Sequence, residues 1–257
     1  MIIKTISIIE MRITKMNDKY KYSYLKDSEY DCETFKIKSK FRNKLQRFKN
    51  SDKDKERGFI IFCSGGSDSM ALLDLFLKEK FKVTPLVKII HIDYGLRYNS
   101  GYDIDAIKKY LTDRKISSSV ELENHKFDLT NVSNVQNFAR KIRLELAYDD
   151  DYVNLFAHNA DDNAETMMMR FLQCGKPKTV KTVSTYEGKI LARPLIEVRK
   201  NALHDYCRKH NIPYSLDASN LENKYLRNKI RNIIIPQISQ LFGYDVVNSI
   251  NKGTKNE

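Results

Sequence analysis

Two short segments hold most of the residues able to do chemistry. The first is Ser64-Gly65-Gly66-Ser67-Asp68-Ser69, which follows the apolar run FIIFC of residues 59–63. Adjacent glycines let backbone N–H groups turn toward an anion without Cβ clashes, and a helix beginning there adds its unpaired N–H groups and positive dipole end. Ser64, Ser67 and Ser69 add hydroxyl donors. Asp68 does not fit direct phosphate binding, because carboxylate and phosphate repel. An acid in a phosphate cradle points instead to a bridging Mg²⁺ held by Asp68. The pattern GxxxxGK[ST] is absent, so the loop is not of the Walker type. The second segment is HNADDNAET, residues 158–166. On a helix beginning near Asp161, Asp162 and Glu165 share a face and His158 sits at the entry. Carboxylates in a first turn also complement the helix dipole, so spacing alone leaves a functional and a purely structural role equally open. HExxH and a Cys partner are both missing, which argues against zinc.

The elements that must carry these groups alternate. FIIFC (59–63), VKIIHI (87–92), SSVEL (118–122) and YVNLFA (152–157) read as strands. Between and after them lie helical stripes: Leu72, Leu75 and Phe76; Ile104, Ile107 and Leu111; Val135, Phe138, Ala139, Ile142 and Leu146; then a helix through Met168 and Leu172. Continuous apolar strands separated by helices predict an α/β fold with a doubly wound, mainly parallel sheet. Ligands bind such sheets at the carboxyl ends of the strands. The Ser/Gly loop follows the first strand, Asp93 and Arg97 follow the second, and His158, Asp161, Asp162 and Glu165 follow the fourth. These groups are therefore expected at one edge of the sheet.

The charge is unevenly placed. The 257 residues carry a net charge of +12. Residues 1–58 account for +7 and residues 193–235 for +5, while residues 59–192 are balanced. A neutral body with basic flanks suits a polyanionic partner. Within the first flank, TFKIKSKFRNKLQRFKN (34–50) places Phe41, Leu45 and Phe48 at i, i+4 and i+7, a basic amphipathic helix. MIIKTISIIEMRI reads as a strand rather than a signal peptide, and SDKDKERG as a linker. No apolar run is long enough to span a bilayer, so no membrane partner is expected. The four cysteines show no CxxC spacing, which fits a reducing compartment and argues against a disulfide scaffold.

Placed after a strand, SGGSDS resembles the PP-loop of the ATP pyrophosphatase superfamily. HIDYGLR (91–97), NVQNFARKIRLE (134–145), AHNADDNAET (157–166), RPLIEVRKNALHDYC (193–207) and DASNLENKYLRNKIRNIIIP (217–236) narrow this. Together they resemble the catalytic domain of the tRNA(Ile)-lysidine synthetase family, in its order and roughly at its spacings. The resemblance implies a ligase that uses ATP and Mg²⁺. Such an enzyme adenylates C2 of the wobble cytidine in a CAU-anticodon tRNA(Ile), releases pyrophosphate, and lets free L-lysine displace AMP. It implies that Ser64, Gly65, Gly66, Ser67, Asp68 and Ser69 bind ATP, and that Asp68, Asp93, His158, Asp162 and Glu165 are catalytic. His158, Asp162 and Glu165 match the motif that lines the cytosine and lysine pocket. Arg97, Arg140, Arg143, Arg199, Arg227, Asn228 and Arg231 are implied contacts for tRNA or phosphates. Asn159 and Tyr94 depart from it, standing where the family usually has a second His. A further departure is CGKPKTVKTVSTYEG (174–188), which replaces a Gly-rich stretch. The resemblance does not reach the appended C-terminal domains of longer relatives.

Three segments are expected: a basic extension (1–57), a PP-loop ATP-binding core (58–190), and a basic helical part of the same catalytic domain (191–257). A cytoplasmic enzyme, or one of an organelle stroma or matrix, fits this reading, and a homodimer is compatible with it. Another PP-loop enzyme, such as a tRNA thiolase or nucleotide synthetase, and a non-catalytic RNA-binding relic are the alternatives. The charge distribution generates one prediction. Removing the positive charge of residues 1–57 should weaken tRNA binding and flatten its salt dependence, because fewer counterions are released. Equal affinities and equal salt slopes with and without that charge would show the extension to be a solvated appendage.

Overall fold

The structure, a computed structural model, describes residues 32–49, 57–78, 86–96, 101–117, 119–149, 151–216 and 225–252. The expected strand at the start of the chain, nearly all of the expected linker, and Arg97 lie outside the described residues. The chain divides into two compact units, Met1–Phe35 and Lys36–Glu257, and the sheet belongs to the second.

A strand apolar on both faces belongs in the middle of a covered sheet. Strand β1 (Gly58–Phe62) is such a strand, with Phe59, Ile60, Ile61 and Phe62 all buried. It pairs in parallel with β2 (Leu86–Asp93) on one side and with β4 (Tyr152–Leu155) on the other. Strand β3 (Glu121–Lys126) lies outside β2. Beyond β4 come β6 (Lys189–Ala192), parallel, and β5 (Val183–Tyr186), antiparallel, giving the order β3-β2-β1-β4-β6-β5. The mainly parallel sheet is as expected from the alternation. Two details differ. Strand β3 begins at Glu121 rather than at residue 118, because Ser119 donates its N–H to Ile116 O (2.9 Å) in the preceding turn. The β5–β6 hairpin was not expected, since neither strand carries a long apolar run. Its turn places Glu187 (φ 49°) and Gly188 (φ 79°) in the left-handed region, as a two-residue hairpin turn requires.

Helix α1 (Cys32–Lys49) precedes the sheet, and α2 (Ser67–Lys78), α3 (Gly101–Asp113), α4 (Val135–Glu145) and α5 (Ala160–Cys174) connect or follow its strands. Helix α6 (Lys200–Lys209) follows β6 and packs on α2. That packing buries α2 from Ser69 to Phe76, including Asp74. A buried carboxylate is tolerated only when its oxygens are satisfied. Asp74 accepts from Tyr110 Oη (2.8 Å) on α3 and Tyr206 Oη (2.6 Å) on α6, and pairs with Lys78 Nζ (2.8 Å). One carboxylate thus pins three helices. At the end of the described chain, α7 (Leu226–Lys229), a π-helical turn (Ile230–Ile234), α8 (Ile235–Phe242) and α9 (Val247–Lys252) close over α5. Ala164, Ile230, Ile235, Val246 and Val247 form their shared core. Pro236 has no N–H to continue the regular ladder, and Ile235 N–H bonds back five residues to Ile230 O. Among the described residues no helix is long and apolar enough to cross a membrane.

The basic helix is part of this body. Ile37, Phe41 and Leu45, spaced four apart on α1, are buried, and Lys44 Nζ meets Glu197 Oε1 at 2.8 Å just before α6. The compact unit accordingly begins at Lys36, inside the segment that composition sets apart as an extension. A chain cut at Gly58 would lose these core side chains. The charge of the helix is better tested by changing the exposed Lys36, Lys40 and Arg42 to Gln. Phe41→Ala should lower unfolding free energy by about 3–5 kcal/mol, the usual cost of emptying a buried aromatic site. A loss under about 1 kcal/mol in denaturant unfolding, typical of surface changes, would place the helix outside the core.

Candidate active site

The strand order reverses direction between β1 and β4, and open sheets form a crevice at such a point beyond the carboxyl ends. A cavity of about 290 Å³ lies there. Cys63 and Ser64 reach it from the end of β1, Ile90 and Ile92 from β2, and Ala157 and His158 from the end of β4. Asp68 and Ser69 of α2 close one wall; Tyr94, Arg143, Asp162 and Arg227 line the rest.

The loop after β1 is held by contacts only its own residue types allow. Gly65 has φ +82°, and a Cβ there would lie 2.5 Å from Asp103 O and 2.7 Å from its Cα. Backbone angle and space both demand glycine. Gly66 is less constrained, its nearest neighbour for a Cβ being Ser64 Oγ at 3.7 Å. Ser69 Oγ accepts the Ser64 N–H (3.1 Å) and donates to Gly66 O (3.0 Å), so Ser69 shapes the loop. Ser64 is exposed to the cavity. Ser67 and Asp68 form the first turn of α2, whose N–H groups have no partner within the helix.

Asp68 Oδ2 accepts from Asn159 Nδ2 and from Lys200 Nζ, each at 3.1 Å. Its other oxygen, Oδ1, is buried with no partner. Burial pushes the carboxyl above its usual range, with the Lys200 ammonium the main opposing influence. No three His, Cys, Asp or Glu side chains converge to hold a metal among the described residues. Mg²⁺ is ordinarily held by one or two carboxylates plus substrate phosphates, and the unpartnered Oδ1 suits that arrangement.

Across the cavity, Asn159 caps α5 by accepting the Asp162 N–H (3.0 Å), and Asp162 Oδ2 accepts the Asn159 N–H (3.1 Å). This reciprocal capping fixes the Asp162 carboxylate at the cavity wall. Glu165, one turn on, is buried and does not line the cavity. Its Oε2 accepts from Arg227 Nε (2.8 Å) and Arg231 Nη2 (2.9 Å), and its Oε1 from Arg231 Nε (2.5 Å). Arg231 Nη2 also lies 3.3 Å from Asp162 Oδ1. The two arginines are thus turned inward rather than spread on a solvated face, and Arg227 reaches the cavity.

His158 stands between these groups. Burial holds its imidazole down to about 4, opposed by Asp162 and reinforced by Arg193, Arg143 and Arg227. It is neutral at pH 7, and its buried Nδ1 has no partner.

The remaining anticipated residues divide. Arg143 lines the cavity and donates Nη1 to Tyr94 Oη (3.3 Å). Arg140 is exposed on α4, and Asn228 is partly buried on α7. Asp93 is not in the cavity lining; its Oδ1 accepts the N–H of Gly95 (3.0 Å) in the turn after β2. Arg199 donates to both oxygens of Asp161 (3.0–3.3 Å) and to Asp245, clamping the start of α6 to α5. Four groups escaped the motif reading: Lys200, Arg193, and the two departures, Tyr94 and Asn159. Arg193 is buried at the end of β6 and is held to about 10 by burial and by Arg140. Lys200 was visible only as the neighbour of Arg199, and spacing does not tell which of two adjacent cations turns toward Asp68.

The sequence signature of the PP-loop domain family matches residues 37–238. A tRNA(Ile)-lysidine synthase of Treponema denticola is 30% identical, the match covering 71% of this chain and 42% of that protein. Another, of Chlamydia muridarum, is 30% identical over 76% of this chain and 62% of that protein. The chain therefore spans about two-fifths to three-fifths of the length of these curated relatives. Among solved structures, a U34-tRNA thiolase of Methanococcus maripaludis shares the fold. It gives a TM-score of 0.66 at 17% identity, covering 88% of this chain and 80% of that one.

The His158 environment generates a stability prediction. Its folded value of about 4 lies below the ordinary 6.5. Between those pH values the unfolded chain binds a proton that the folded chain refuses, so stability falls as pH drops through the window and is unaffected above it. His210, also held to about 4, acts in the same direction. His158→Gln should flatten this decline by no more than about 3 kcal/mol at its acid end. Urea unfolding at pH 7, 6 and 5 measures it; equal slopes in both proteins would show that His158 titrates normally.

Proposed function

The chain belongs to the PP-loop domain family, and on that footing we propose that it is an ATP-dependent ligase making lysidine in tRNA. One observation carries this reading. A single cavity at the carboxyl edge joins the phosphate-type loop, with Ser64 and Asp68, to the His158 and Asp162 wall. A triphosphate at the loop would place its α-phosphorus toward that wall.

The tRNA is read as a CAU-anticodon tRNA(Ile), the amine as free L-lysine and the nucleotide as ATP with Mg²⁺. The cytosine C2 oxygen attacks the α-phosphorus and pyrophosphate leaves. The lysine ε-amine then attacks C2, AMP departs, and the amine sheds its proton. Backbone N–H groups of the Ser64–Asp68 loop and the first turn of α2 hold the triphosphate. Asp68 would hold Mg²⁺ through Oδ1, and bound Mg²⁺ supplies charge neutralisation for the leaving pyrophosphate. Arg143 and Arg227 offer cationic donors to phosphate oxygens in the cavity. His158, neutral and hydrogen-bond competent, suits an uncharged base better than an anion. Asp162, on the cavity wall, would receive the lysine ammonium and its proton. Glu165, whose oxygens are taken by two guanidinium groups, acts by holding Arg227 and Arg231.

Aminolysis is favoured over sulfur transfer in this cavity, whose lining holds one cysteine, Cys63. Cys63 is buried, its thiol pushed up to about 11 by burial; Cys207 is buried and its thiol also raised. A thiol so raised is a poor nucleophile and a poor metal ligand.

Activity should require ATP, Mg²⁺, lysine and tRNA together, and release AMP and pyrophosphate. Lysidine should appear on nucleoside analysis of the treated tRNA. Formation of ADP and orthophosphate would overturn the assignment. Asp162→Asn should raise the KM for lysine about tenfold or more, the loss expected for a charge-assisted hydrogen bond, with less effect on ATP. Unchanged lysine kinetics would return Asp162 to a capping role alone.

A further inference from the structure

Lys200 is the first residue of α6, and its ammonium lies 3.1 Å from Asp68 Oδ2. The contact joins the start of α6 to the first turn of α2, 132 residues apart in sequence. We propose that Lys200 is a triphosphate-binding residue, parked on the Asp68 carboxylate until ATP and its metal displace it onto a phosphate oxygen. This rests on the reading of the cavity as an ATP site.

Three observations carry it. First, a carboxylate at the positive end of α2 repels any arriving phosphate unless a cation accompanies it. Lys200 supplies such a cation, 3.1 Å from Asp68 Oδ2. Second, Asp68 has one oxygen engaged and one without a hydrogen-bond partner. Oδ2 is shared by Lys200 and Asn159, whereas Oδ1 is buried and unpartnered. A metal entering at Oδ1 brings two positive charges beside an ammonium and weakens its hold. The incoming triphosphate offers that ammonium new acceptors on the same side of the loop.

Third, the side chain is not needed to place its helix. The Lys200 backbone N–H donates to Asp161 Oδ2 (2.7 Å), and Arg199 grips the same carboxylate. Ala202, Leu203, Tyr206 and Cys207 are buried beneath α6. The ammonium is tethered to a fixed base on a side chain that remains 40% exposed, so it is free to exchange partners. A lysine suits this use better than an arginine, because a compact point charge moves between single oxygens without losing a bidentate geometry.

The test uses the full chain with Lys200→Met, and Lys200→Gln alongside, so that loss of fold in one variant leaves the other. Mn²⁺ binding to the ATP-free protein is followed by paramagnetic resonance. With the ammonium gone, Mn²⁺ affinity should rise about tenfold or more, as removal of one charge-assisted contact allows. Adding Asp68→Asn in the same chain should abolish the gain. Affinity for α,β-methylene-ATP with Mg²⁺, read by calorimetry, should fall about tenfold or more, again one charge-assisted hydrogen bond, and Lys200→Arg should recover part of it. Unchanged Mn²⁺ affinity in both neutral variants overturns the parking role. Unchanged nucleotide affinity overturns the phosphate role. If the unaltered protein binds no nucleotide, the ATP reading fails and this one with it. If the unaltered protein binds nucleotide and the variants match it, only this one fails.

Discussion

A carboxylate taken out of water costs several kcal/mol unless cations and hydrogen bonds replace the solvent. Glu165 is such a carboxylate, 1% exposed on the second turn of α5. Arg227 and Arg231 meet it from a segment more than sixty residues away in sequence. Much of the cavity depends on that pairing. It draws the α7 segment and its π-helical turn against α5, brings Arg227 into the cavity and sets a guanidinium near Asp162. Removing both arginines would leave a buried charge without a partner, a loss of about 3–5 kcal/mol. Glu165 thus serves the site from behind its wall.

The charges on the cavity side are arranged in opposition. Burial, and to a lesser degree Asp162, disfavours the ionisation of Asp68, and Lys200 and Arg231 act against that effect. Burial, reinforced by Arg193, Arg143 and Arg227, keeps His158 uncharged. A positive surround with two fixed carboxylates suits a polyanionic nucleotide and a cationic amine in one space. The uncharged imidazole adds no further repulsion to an incoming cation.

Backbone geometry determines where these charges meet. Gly65 lies against the Asp103 backbone so closely that no Cβ fits. That contact seats the loop on the start of α3 and aims the first turn of α2 at the crevice between β1 and β4. Asp74, in the interior of α2, ties the same helix to α3 and α6 through Tyr110 and Tyr206. The helix whose N-terminus faces the cavity is consequently held along its length. Its far support, α6, is also the helix that carries Lys200.

Local pattern and residue type were enough to place much of this. Continuous apolar strands broken by 3.6-period stripes identified the parallel sheet, and β1, β2 and β4 fall close to their expected positions. Rules for ligands at strand ends placed the Ser64–Ser69 loop, His158 and Asp162 together, and they share one cavity. The β5–β6 hairpin was not legible, because β6 draws its order from pairing with β4, and β5 from pairing with β6, rather than from their own alternation. Partner choice among charges was also hidden. Arg199 and Lys200 are adjacent, yet one turns to Asp161 and the other to Asp68. Asp162 and Glu165 share spacing and charge, yet one lines the cavity and the other is buried among arginines. Sequence spacing gives the face of a helix. Which cation reaches a carboxylate, and which carboxylate keeps contact with the cavity, depends on elements brought from far along the chain. Only the packed tertiary structure supplies them.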